Sequence, residues 1–151
     1  MDTVELMQSK ATLSIMWVKP ELAGEEWEFF HHPAKQEFYR DQRVEWEALV
    51  VAFDRGRLEP YPRSDRICGM KVALCYHTYD DYTTWLARAK RGYRRNYTKM
   101  EEGLQREGAL TLPAPILLCC GGEALLFAGY RRLCLAWNYG MTPYVWLVTV
   151  R

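Results

Sequence analysis

Residues 115–127 read Pro-Ile-Leu-Leu-Cys-Cys-Gly-Gly-Glu-Ala-Leu-Leu-Phe, two apolar runs joined by a Gly-Gly dipeptide. No other stretch limits the fold as strongly. A two-residue hairpin turn needs positive φ at its central positions, and glycine adopts that conformation without steric cost. The pattern predicts an antiparallel hairpin with Gly121 and Gly122 at its tip. Directly after it, Ala128-Gly129-Tyr130-Arg131-Arg132 opens an amphipathic segment that closes on Gly140. That segment predicts a short helix. Residues 141–151, with Pro143 near their start, predict a final strand, because proline does least harm at a strand's first residues.

The preceding segments are less sharply patterned. Residues 79–97 predict a helix with Asp80 or Asp81 at its start and Gly92 interrupting it. A second helix is expected from Thr98, with Glu101 completing a capping box and Gly108 as the stop. Strands are expected over 11–18, 46–53 and 67–76, separated by an irregular, extended path at 58–66 where Pro60 and Pro62 lie. Residues 1–45 carry no clear period. They are read as an N-terminal extension of unknown role, ahead of one α/β (α+β) domain over 46–151. A chain of 151 residues is long enough for one domain with a real core.

Arg131 and Arg132 sit where a helix begins. Helix N-termini carry partial positive charge, so two cations there cost stability unless an anion visits. The net charge of the chain is only +1, so any anion site must be a local concentration of charge. Ala128 and Gly129 let backbone approach an anion closely, and the first N–H groups of the helix point outward. Arginine binds phosphate oxygens bidentately.

Other residues exclude more than they suggest. The five cysteines show no C-x-x-C spacing and are expected to be reduced thiols. His31 and His32 are adjacent and diverge, and His77 is distant, so no metal site is expected. The N-terminus lacks a signal-peptide profile, and no apolar run approaches membrane-spanning length. The expectation is a cytoplasmic protein with no membrane partner.

The order helix–Gly–Pro–strand–Gly-Gly–strand–Ala-Gly-Tyr-Arg-Arg–helix–Gly–x–x–Pro–strand resembles the core of the ParB/sulfiredoxin superfamily over residues 98–150. In that family a small-Gly-x-(His or Arg)-Arg turn cradles a nucleotide's phosphates. The resemblance implies a small mixed sheet with packed helices. It implies a nucleotide site at Ala128, Gly129, Tyr130, Arg131 and Arg132, and ATP or another nucleoside triphosphate with Mg²⁺ as cofactor. Sulfiredoxin-like members carry a catalytic Cys where this chain has Tyr130, so sulfinic acid reduction is not expected. Chromosome-partitioning members carry Glu there and a helix-turn-helix domain afterwards, so a clamp CTPase is not expected either. What remains is similar to the family's small kinases, including those of phage genomes, with a host-cytoplasmic setting in that case. The implied activity is phosphoryl transfer to a hydroxyl of a small metabolite or a modified DNA base. Glu59 is the nearest equivalent of the family's catalytic base, with Asp65 and Asp80 or Asp81 as the other candidate carboxylates and Arg132 beside the phosphates. The alternatives are a non-catalytic nucleic-acid-binding module and a ParB-like nuclease.

A second constellation lies at 86–99, where six cations occur in fourteen residues, interleaved with Tyr93 and Tyr97. Cations neutralise phosphates and rings stack on bases. Arg91, Tyr93, Arg94, Arg95 and Tyr97 are therefore candidate nucleic-acid contacts, with DNA as a candidate partner. The opposing reading is a solvated helix face set against the acidic runs at 25–28 and 80–81.

Overall fold

A computed structural model describes residues 13–74, 87, 89 and 91–151. Within these residues the fold is mixed α+β. In chain order it comprises β1 (Ser14–Val18), α1 (Glu26–His31), α2 (Pro33–Asp41), α3 (Trp46–Phe53), β2 (Arg57–Pro60), β3 (Arg66–Ile67), β4 (Met70–Ala73), α4 (Arg91–Glu107), β5 (Ala109–Pro113), β6 (Ile116–Cys120), β7 (Glu123–Ala128), α5 (Tyr130–Asn138) and β8 (Tyr144–Thr149). Six strands form a mixed sheet in the order β2-β8-β6-β7-β4-β3, and β1 pairs with β5 in a separate parallel ribbon. The large sheet curls, bringing the edge residue Arg57 within electrostatic reach of Cys68 at the opposite edge.

The hairpin forms as its glycines require. Cys120 pairs with Glu123 across Gly121 (φ 59°) and Gly122 (φ 81°). Both strands are apolar almost throughout because they run through the middle of the sheet with both faces covered. Leu117, Leu118 and Leu125 are essentially inaccessible to water. Ile116 pairs with Ala128 and Leu117 with Leu126, so Phe127 bulges out of the ladder. The helix after Gly129 and the strand after Pro143 also form as expected.

Three expected elements differ. Residues 46–53 are the helix α3, not a strand. Leu49 and Phe53 lie one turn apart and are buried, while Val50 and Val51 are exposed, so burial follows the helical period. The β-branched composition yields to tertiary packing: α3 covers β8, and Trp146 Nε1 donates to the Phe53 carbonyl at 2.9 Å. The strand expected over 67–76 is split within its described part. Cys68 (φ 49°) and Gly69 (φ 79°) form a two-residue turn between β3 and β4, with Ile67 paired to Met70. Residues 91–107 are one helix that runs through Gly92, so Thr98 and Glu101 are interior residues and not a capping box. The stripe Tyr97, Gly103 and Leu104 is buried and holds that helix in place. Gly108 does end it, at φ 75°. Asp80, Asp81, Cys75, His77, Arg88 and Lys90 lie outside the described residues.

Residues 14–45 contribute β1, α1 and α2. Their side chains Trp17, Phe29, Tyr39 and Val44 join the same hydrophobic cluster as the sheet. β1 aligns in register with β5, with Ser14 opposite Ala109 and Val18 opposite Pro113. Ala114 N–H then donates to the Val18 carbonyl at 2.8 Å, and Trp146 N–H to the Pro115 carbonyl at 2.7 Å. The Pro113–Pro115 corner is thereby pinned between β1 and β8, facing the end of β7. Among the described residues no helix is long and apolar enough to cross a membrane. Cys68, Cys119, Cys120 and Cys134 are free thiols.

Candidate functional site

The Pro113–Pro115 corner, the end of β7 and the start of α5 meet at a cavity of about 400 Å³. Its walls are Val18, Lys19, Pro20, Glu21, Glu25, Pro113, Ile116, Ala128 and Arg132. That size is within the range of small-molecule sites. Gly129 makes the geometry possible. It caps α5 in the left-handed region (φ 103°), and its carbonyl accepts from the N–H groups of Arg132 and Leu133. A Cβ at Gly129 would stand 2.7 Å from the Pro115 Cα and 2.7 Å from Arg132 Nη2. Only glycine lets the corner, the turn and the guanidinium pack this closely.

Arg131 and Arg132 do not act as a pair of parallel clamps. Consecutive helical residues diverge by about 100°. Arg132 lines the cavity. Arg131 instead lays its guanidinium over the Tyr93 ring, 4.9 Å from the centroid. The Arg132 Nε is buried and has no hydrogen-bond partner. Burial and the Arg131 charge push the Arg132 guanidinium below its ordinary pKa, and Glu25 partly offsets them. Among the described residues no ion pair joins Arg132 to a carboxylate. Lys19, the other cation in the wall, is already bound to Asp54 at 2.6 Å and lies over the Phe53 and Trp146 rings. Among the described residues Arg132 is therefore the cavity cation with no carboxylate bound to it.

Facing it is Glu25, placed by a turn in which its N–H donates to the Leu22 carbonyl. Burial raises the Glu25 pKa, Glu28 raises it further, and Lys35 and Arg132 pull it back. Lys35, on α2, donates to the Phe127 carbonyl at 2.6 Å. The bulge in β7 thus turns a carbonyl toward α2 and ties residues 25–35 to the turn at Gly129.

The remaining expected site residues fall in four places. Ala128 lines the cavity. Tyr130 is in the core, 6% exposed, with its hydroxyl directed to Cys134, whose thiol burial pushes up to about 12. Glu59 does not line the cavity; it is ion-paired to Arg57 at 2.5 Å on the edge strand β2. Arg91, Arg94 and Arg95 are exposed on the first turns of α4, and Tyr93 is 45% exposed. Tyr97 corrects its expected role as a stacking ring. It is buried, its hydroxyl accepts from Asn138 Nδ2 at 2.8 Å, and its pKa is pushed up to about 12 chiefly by burial.

Glu21, Glu25 and Lys35 were not singled out by sequence reasoning. The only signal for Glu25 and Lys35 is the charged and aromatic stretch at 25–37, whose position opposite Gly129 no local pattern encodes, and Glu21 lies ahead of it. Among the described residues no group of three or more His, Cys, Asp or Glu side chains converges as a metal site would require. No family model, no curated protein and no solved structure matches the chain.

Proposed function

We propose that this protein binds the phosphates of a nucleotide in the Arg132 cavity and transfers a phosphoryl group to a hydroxyl acceptor. The observation that carries the reading is the buried, unpartnered Nε of Arg132 beside the start of α5. A half-buried guanidinium whose Nε has no acceptor, and whose charge Glu25 only partly offsets, is costly unless an anion completes it. Phosphate oxygens match both its fork and the N–H groups at the helix start. The resemblance of the Ala128–Arg132 turn to the nucleotide-binding turn of ParB/sulfiredoxin-like proteins supports the same assignment.

The donor set fits the cofactor that the resemblance implies. Arg132 suits a polyphosphate. Glu21 is the cavity carboxylate that would hold Mg²⁺ alongside phosphate oxygens, which leaves Glu25 free as a base. Bound there, Mg²⁺ supplies neutralisation of charge on the transferring group. The residues of the chain do the rest. Arg132 orients and neutralises the phosphates, and the α5 start adds N–H donors. Glu25 takes the proton of the acceptor hydroxyl as its oxygen bonds to phosphorus and the bond to the departing nucleoside diphosphate breaks. A carboxylate with a raised pKa is a better base for that step than an ordinary one. Glu25 replaces Glu59 in this role because it is in the cavity wall and Glu59 is not.

Thermal-shift measurement against ATP, ADP, CTP and GTP with Mg²⁺ tests binding, since a bound ligand raises stability by RT ln(1 + [L]/Kd). A nucleotide-dependent shift is expected that Arg132→Ala abolishes and Arg132→Lys weakens. An equal shift in Arg132→Ala removes the site assignment. Transfer of label from γ-labelled ATP to hydroxyl metabolites or hydroxymethylated DNA tests the chemistry. Binding without transfer to any acceptor returns the protein to the class of non-catalytic binding modules.

A further inference from the structure

We propose that the first turns of α4, together with Arg131, form a docking surface for single-stranded nucleic acid. This inference is separate from the cavity and does not depend on the nucleotide reading.

Three observations converge. The first is charge without compensation among the described residues. Residues 91–100 contain Arg91, Arg94, Arg95 and Lys99 and no carboxylate, and all four cations are exposed. Three arginines within the first two turns oppose the helix dipole and repel one another. Among the described residues none of them is engaged in an ion pair. Among the described residues no ion pair joins them to the acidic stretch at 25–28. The second is convergence of two elements. Arg131 comes from α5, and its guanidinium covers one face of Tyr93. A cation from a different part of the chain is thereby added to the same surface. The third is an exposed ring. Tyr93 lies one turn before Tyr97 on the same stripe of α4, but at the end where the core stops. Tyr97 is buried and Tyr93 is 45% exposed.

These features select the partner. A row of arginines alone suits any polyanion. An exposed tyrosine already stacked with a guanidinium offers a flat platform at the edge of that row. Bases stack on aromatic rings and on arginine planes when they are unpaired, whereas duplex bases are stacked on each other and unavailable. The surface therefore fits a single strand, with phosphates on Arg91, Arg94 and Arg95 and a base at the Tyr93–Arg131 pair.

The test is fluorescence anisotropy of the full chain with a labelled oligothymidylate, a labelled oligouridylate and a duplex of equal length, over a series of salt concentrations. Binding to single strands tighter than to duplex is expected, with log K falling linearly against log salt. Each of Arg91→Ala, Arg94→Ala and Arg95→Ala should lower the slope by about 0.7. Tyr93→Ala should weaken binding by roughly 5- to 140-fold and leave the slope unchanged, as loss of one stacked base requires. Arg132→Ala should leave oligonucleotide affinity intact, which separates this surface from the cavity. An unchanged affinity and slope in the triple arginine variant overturns the proposal. Equal affinity for duplex and single strand with no effect of Tyr93→Ala overturns it as well. All the substituted positions on α4 are solvent-facing, and a circular dichroism spectrum matching the parent confirms that the fold is retained.

Discussion

Lys35 donates a hydrogen bond to the carbonyl of Phe127, ninety-two residues later in the chain, at 2.6 Å. Phe127 is the residue that the β6–β7 ladder skips, so the bulge supplies the acceptor and α2 supplies the donor. This contact holds one wall of the cavity against the other. Lys35→Met keeps the aliphatic stem and removes the charged donor. It should destabilise the protein by about 1.5–3 kcal/mol, the range for a hydrogen bond to a charged group, in urea unfolding. Nucleotide affinity should fall with it, because Glu25 and the Gly129 turn lose their common anchor. A variant with parental stability would show that the contact does not hold the wall.

Gly129 has no substitute. Alanine there must adopt φ near 103° and place its Cβ 2.7 Å from Pro115. Strain and overpacking together predict a loss of about 2–4 kcal/mol. The Arg132 guanidinium, also 2.7 Å from that Cβ, must move. Gly129→Ala should therefore lose the nucleotide-dependent thermal shift even at temperatures where it remains folded by circular dichroism.

The pH dependence of stability should carry a signature of Glu25. Its folded pKa is raised, by burial first, then by Glu28, against the pull of Lys35 and Arg132. Folding thus favours the protonated acid. The associated stability is fully present below the unfolded pKa and is lost as pH rises through the folded value. Glu25→Gln mimics the protonated form. It should raise the melting temperature at neutral pH, with the difference from the parent vanishing on the acid side, while label transfer from ATP is lost. A Glu25→Gln protein less stable than the parent at neutral pH and equal to it in acid would reverse the sign and refute the assignment. Glu59→Gln, in contrast, should leave label transfer unchanged.

Two tyrosines one helical turn apart should respond in opposite ways. Tyr97→Phe deletes the hydroxyl that accepts from Asn138 and should cost about 1 kcal/mol. Tyr97→Ala should cost about 3–5 kcal/mol, as for other large core aromatics. Tyr93→Ala, on the exposed end of the same stripe, should change stability by less than about 0.5 kcal/mol. Denaturant melts of the three variants check this ordering.

Gly56 is packed for a different reason. A Cβ there would lie 2.5 Å from Trp146 Nε1, the atom that donates to the Phe53 carbonyl. Gly56→Ala should displace the indole and cost about 1–3 kcal/mol. Trp146 fluorescence should shift as its ring moves, and an unshifted spectrum would argue against the displacement.

Local chemistry was enough to read residues 115–151 and the helix stop at Gly108. Gly121 and Gly122 take positive φ, Gly108 and Gly140 end helices in the same region of conformational space, and Gly129 opens α5. Each of these is a demand of a few consecutive residues, so it is legible from their identities. Arg132 was legible as a candidate for the same reason: a cation at a helix start conflicts with its immediate surroundings, whatever the rest of the fold.

Tertiary structure decided what contacts distant residues make. Residues 46–53 have strand-forming composition but are a helix, because β2 already occupies the edge beside β8 and what remains for them is to cover Trp146. β5 was not anticipated, because its partner β1 begins at Ser14, opposite Ala109. Glu25 came to line the cavity, and Lys35 to reach the Phe127 carbonyl, only when that ribbon and the β7 bulge brought residues 18–35 against Gly129. Tyr93 and Tyr97 look equivalent in the sequence; the end of the core between them buries one and exposes the other. Turn and cap preferences are properties of neighbouring residues, while burial and charge pairing depend on which surfaces meet.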